Sequence, residues 1–175
     1  MATTYTLISS NVLSSSAASV TFSSIPATYT DLVLRFSARA AGALTQVQLG
    51  LRINSDSSAL YSDTSIRGYG VGSGSARVSG SSEIFQYMYI PANGATSNTF
   101  SNGEFYIPSY STSQNRPISG FSVAERNASD AYMGVAASLY RSTTAITSIE
   151  VSAQWTSSVD LVSGSSFYLY GISNA

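Results

Sequence analysis

The sequence contains no cysteine and no histidine. Without cysteine there is no disulfide staple, no thiolate metal site and no thiol nucleophile. Without histidine the commonest general base near neutral pH is missing, and with it the Ser-His and Cys-His couples and most zinc ligation. Lysine is absent too: all eight basic residues are arginine, at positions 35, 39, 52, 67, 77, 116, 126 and 141. They stand singly among Ser, Thr and Gly, against nine carboxylates, for a net charge of -1. A nucleic-acid surface needs clustered positive charge to displace counterions from phosphate, so no DNA or RNA partner is expected.

Charge is scarce altogether, at 10% of residues. Ser, Thr, Asn and Gln must therefore wet the surface. Burying a hydroxyl against a partner costs far less than burying an ammonium or a carboxylate, so such a surface suits a protein that packs against others, and equally a β-protein that is simply kept soluble by its hydroxyls. There is no apolar run approaching the ~20 residues of a membrane span. The opening "MATTYTLISSNVLSSS" has neither a basic segment nor a continuous apolar one, and does not read as a secretory signal. A chain made and kept in a cytoplasm, with no membrane partner, is the expectation.

What is present is strand text. A length of 175 residues and 43% hydrophobic content suit one domain, residues 1–175, with an ordinary core. In "DLVLRFSAR", Leu32, Leu34, Phe36 and Ala38 alternate with Asp31, Arg35, Ser37 and Arg39, and Val33 is the one apolar exception. In "TQVQLGLRIN", Val47, Leu49, Leu51 and Ile53 alternate with Gln46, Gln48, Gly50 and Arg52. The same period places Met133, Val135, Ala137 and Leu139, and then Ile149, Val151, Ala153 and Trp155, on inward faces. Weaker runs are "TYTLIS", "SVTFSSI", "EIFQYMYI", "TFSNGEFYIP", "PISGFSVAER" and "SSFYLYGI". Apolar residues do not recur at helical spacing, and "ARAAGAL" offers at most one helical turn before Gly42. About ten strands with polar turns predict an all-β, antiparallel β-sandwich, jelly-roll-like.

Residues 67–82, "RGYGVGSGSARVSGSS", and 91–98, "PANGATSN", read as loops. Gly68, Gly70, Gly72 and Gly74 do not make a phosphate cradle, because no lysine exists and no helix follows. Asn54, Asp56 and Asp63 lack the glycine and the terminal glutamate of an EF-hand loop, so no calcium site is expected. The carboxylates are Asp31, Asp56, Asp63, Glu83, Glu104, Glu125, Asp130, Glu150 and Asp160. They are scattered singly or lie near an arginine, which points to surface charge and not to a catalytic pair. The expectation is a non-enzyme with no catalytic residue, metal or cofactor.

Tyrosine is in surplus, with 12 copies. Tyr87 and Tyr89 alternate with Ile84, Met88 and Ile90, and Tyr106 alternates with Phe105 and Ile107. A tyrosine buries a large ring yet keeps a hydroxyl for a partner, so Tyr87, Tyr89, Tyr106 and Tyr110 are candidate protein–protein interface residues. The other assignment of the first run puts Phe85, Tyr87 and Tyr89 on the inner face of the sandwich.

The segments "ATYTDLVLRFSARA", "TFSNGEFYIPSY", "LYRSTTAITSIEVS" and "GSSFYLYGISNA" resemble small virion structural proteins of tailed bacteriophages, notably cyanophages. The likeness spans nearly the whole chain and consists of strand and turn text with no catalytic signature. It implies an all-β virion component, a capsid decoration or cement protein on the capsid exterior, assembled in the bacterial host cytoplasm. The implied partners are the major capsid protein and the chain itself, as a homotrimer at a local symmetry axis. A tail-fibre or host-recognition module, binding a glycan or receptor through loop 67–82, is the alternative. A tail glycan hydrolase would need a carboxylate pair that the spacing does not offer.

Overall fold

A computed structural model describes residues 4–85, 87–127, 131–154 and 159–173, in twelve strands. The larger sheet runs in the order β1 (Tyr5–Val12), β12 (Ser166–Ile172), β3 (Asp31–Ser37), β8 (Asn102–Ile107), β9 (Arg116–Ala124), β10 (Tyr132–Tyr140), β5 (Tyr61–Tyr69), β6 (Gly72–Ser81). The smaller sheet runs β2 (Ser19–Phe22), β11 (Ile149–Gln154), β4 (Gln46–Ile53), β7 (Tyr89–Pro91). Every pairing is antiparallel. The chain changes sheet at each step from β1 to β5 and again at β6–β7, β7–β8, β10–β11 and β11–β12, which is the jelly-roll habit of an antiparallel β-sandwich.

The two sheets share one core because their inward sets are aliphatic and aromatic at period two. Leu32, Leu34 and Phe36 of β3, Phe105 and Ile107 of β8, and Phe167 and Leu169 of β12 meet Val47, Leu49, Leu51 and Ile53 of β4 and Ile149, Val151 and Ala153 of β11. Each large aliphatic or aromatic side chain withdrawn in this way contributes about 1.5–3 kcal/mol. Trp155, expected on the β11 face, lies outside the described residues, as does Asp130. Val33 is buried on the outer face, between its cross-strand neighbours Tyr106 and Tyr170.

Three expectations are corrected. Residues 67–82 are not a loop: they complete β5 and form β6, a hairpin turning at Gly70–Val71. Apart from Arg77 and Val78 its residues are Gly, Ser and Ala, so period two is present with almost no hydrophobic signal, and the strand count is twelve in place of about ten. "ARAAGAL" makes no helical turn, and there is no helix among the described residues. Finally, "EIFQYMYI" is not one strand. Tyr87 takes a left-handed φ of 60°, and only Tyr89–Pro91 is regular. Ile84, Met88 and Ile90 all enter the core across the break, where the alternative assignment had placed the aromatic set.

Two buried arginines organise the turns. Arg39 Nη1 donates to the carbonyls of Thr96 and Thr99, both at 2.9 Å, and holds the 91–98 turn cluster. Arg116 Nε donates to the Tyr110 carbonyl at 3.2 Å, and Nη2 donates to that of Thr112. Burial lowers the pKa of both guanidiniums below the ordinary arginine value.

Candidate interaction surface

Strand β10 carries the largest departure from the sequence pattern. Met133, Val135, Ala137 and Leu139, expected inside, face outwards, and Gly134, Ala136, Ser138 and Tyr140 face inwards. The reason is space. The segment before β7 passes so close to β10 that only a glycine fits at 134, where a β-carbon would collide with the Tyr87 carbonyl. Tyr140 then supplies the inward bulk, its ring stacked at 4.8 Å on that of Tyr61. The larger apolar set is left on the surface.

Register extends this surface across the sheet. Val135 lies between Ile66 of β5 and Phe121 of β9, and the same row continues through Glu104, Arg35 and Tyr168. Met133 stands one row above, between Gly68 and Val123. Relative exposures of 62% for Ile66, 55% for Met133, 45% for Val135 and 43% for Phe121 make these four neighbours one open apolar patch. It is furrowed: one shallow depression lies among Ile66, Gly68, Met133 and Val135, another among Glu104, Tyr106, Ser119, Phe121 and Val135. Val135 is the ridge between them. Contiguous exposed apolar area of this kind marks an interaction site more often than a bare surface.

The other half of the face is polar and aromatic. Arg35 Nε pairs with Glu104 Oε2 at 2.8 Å, and its guanidinium lies 5.6 Å from the Tyr5 ring and 5.9 Å from that of Tyr170. The Tyr106 hydroxyl donates to Asp31 Oδ2 at 2.8 Å, and that hydrogen bond to a carboxylate raises the tyrosine pKa.

The four candidate tyrosines are not brought together. Tyr106 is half-buried on this outer face. Tyr87 is half-buried elsewhere, in a cluster where Arg67 sits between the rings of Tyr69 (4.7 Å) and Tyr87 (4.6 Å). Tyr89 and Tyr110 have no exposed surface, so the assignment of these two to a partner interface is corrected. The Tyr89 hydroxyl accepts from Arg67 Nη1 at 2.6 Å while its ring packs 4.6 Å from Tyr132. The Tyr110 hydroxyl donates to the Pro26 carbonyl. Both hydroxyls are satisfied internally, which is why the rings can be buried. Ile66, Phe121, Met133 and Val135 were missed as surface residues; the available signal was that on β10 neither alternating set is polar, so the pattern does not choose its inward face.

Most of the described carboxylates are spent on structure. Glu83 and Glu150 flank Arg52 at 3.3 Å each. Asp31 also accepts from Ser109 N, Asp56 from Ser58 N and the Tyr140 hydroxyl, and Asp63 from Phe85 N. Asn54 is engaged separately, by Thr147 N and Ser148 N. Among the described residues no three acidic side chains converge as a metal site would require.

No protein-family model matches the sequence, and no curated protein matches it. Among solved structures, the Caenorhabditis elegans galectin LEC-6 is similar over 98% of this chain and 96% of that one, at 10% identity and a TM-score of 0.34. Similarity at that level carries no inference about ligand or partner.

Proposed function

We propose that this chain is a non-enzymatic structural protein of a phage virion, a capsid decoration or cement protein that docks its larger sheet against the major capsid protein. The observation that carries this reading is the open apolar patch of Ile66, Phe121, Met133 and Val135 on a rigid sheet. A cement protein works by burying surface at joints between neighbouring subunits, and a weakly charged face loses little solvation on doing so. The resemblance of the strand and turn segments to small virion proteins supplies the setting. The carboxylates held by Arg52, Arg35 and backbone amides agree with a scaffold use of acid groups.

The test is immunogold electron microscopy of purified virions with antibody to this chain. Regular gold over the head is the expected result. Gold confined to the tail would replace the cement reading with host recognition, and unlabelled virions would sink both.

A further inference from the structure

We infer that the free edge of β6 adds antiparallel to the β6 of a second copy of this chain, joining the two larger sheets across a two-fold axis at Ala76. Strand β6 is the outermost strand of its sheet, ten residues long and free of proline. Its hairpin closes through Tyr69 paired with Gly72, with Gly70 at a φ of 50° in the turn. The closing pair of a two-residue hairpin exchanges hydrogen bonds, and alternation does the rest. The backbones of Gly72, Gly74, Ala76 and Val78 turn towards β5, and those of Ser73, Ser75, Arg77 and Ser79 towards the edge. Among the described residues nothing pairs with that edge.

The opposite edge of the sheet is blunted. Strand β1 is broken in mid-course by an irregularity between Leu7 and Ser9, which spoils it as a template. In β6 the equivalent irregularity falls near the far end, at Gly80, and leaves Gly72 to Ser79 regular.

A second copy is the partner that this strand fits, because its text is in part repeated in reverse about Ala76 and the register leaves no two charges or two bulky side chains opposed. Antiparallel pairing there sets Gly72 against Gly80, Ser73 against Ser79, Gly74 against Val78 and Ser75 against Arg77. All four edge-facing residues find hydrogen-bonding mates. The one charge of the strand, Arg77, meets a serine, whereas a register centred on Arg77 would oppose two guanidiniums. A two-fold operator closes at two copies, so the assembly is a dimer and not the trimer implied by the resemblance. The pairing is independent of the virion reading.

The absence of native cysteine makes the test direct. In this register the two Ala76 residues form a non-hydrogen-bonded pair with Cα atoms about 4.5 Å apart, within disulfide reach. Under mild oxidation Ala76→Cys is expected to run as a covalent dimer, while Ser10→Cys, exposed on β1 at the opposite edge of the sheet, stays mainly monomeric. Ser75→Pro deletes an edge-facing N–H without touching the β5 ladder, and is expected to weaken dimerisation in light scattering by about tenfold or more. A folded Ala76→Cys that links no better than the control, a wild-type dimer indifferent to Ser75→Pro, or a monomer at every concentration would each overturn the proposal. Should Ala76→Cys fail to fold, the Ser75→Pro comparison decides.

Discussion

The carbonyl oxygen of Tyr87 occupies the place where a β-carbon on residue 134 would stand, so Gly134 and Tyr87 fit together only without a side chain. This contact fixes the face of β10. With 134 forced inwards and bare, the odd-numbered residues Met133, Val135 and Ala137 must point out. The left-handed Tyr87 is held by its own ring, stacked at 5.8 Å on Tyr89 and lying against the Arg67 guanidinium.

Gly134→Ala is therefore expected to destabilise by about 3 kcal/mol, the upper range for an added methyl in a packed interior. Denaturant unfolding measures this. A loss below the few tenths typical of surface changes would mean that the Tyr87 backbone moves aside freely.

Val135→Asn and Phe121→Asn change the open face without adding a charge beside Glu104, and each should cost no more than about 1–2 kcal/mol. Both should abolish attachment to the virion, measured by co-sedimentation of the purified chain with particles depleted of it. Variants that unfold would return these residues to the core, and variants that attach normally would remove the patch from the interface.

Tyr89→Phe and Tyr110→Phe delete internally bonded hydroxyls and should each cost about 1 kcal/mol in unfolding free energy. Attachment should be unchanged at temperatures where both variants are folded. A binding defect in a fully folded variant would restore these tyrosines as contact residues.

Glu83 gives a pH signature. Burial raises its pKa above the ordinary carboxylate value, against the pull of Arg52. The folded chain thus holds the Glu83 proton more tightly than the unfolded chain, and this favourable contribution is lost as pH rises through the raised value. Glu83→Gln, which leaves Arg52 its Glu150 partner, should gain in Tm relative to wild type as pH rises from the ordinary carboxylate range through the raised value. A pH-independent difference would show that Glu83 titrates normally.

Class and core were legible in the sequence wherever one face of a strand was apolar and the other polar. In β3 and β4 the difference in solvation between Leu34 and Arg35, or Leu51 and Arg52, is enough to choose the inward side before any tertiary contact forms. That logic failed in two places, each for a physical reason. Strand β6 alternates Gly with Ser, residues that differ little in the cost of burial, so only pairing with β5 makes it a strand. On β10 both sets are apolar or small, and solvation cannot rank them; the steric demand of a Tyr87 carbonyl far away in the chain does. The sequence alone determined a sparsely charged, thiol-free antiparallel β-sandwich. Which of its apolar residues remain in water, and hence where a partner can dock, was decided only in the tertiary structure, because close packing between distant segments outweighs the local hydrophobic pattern.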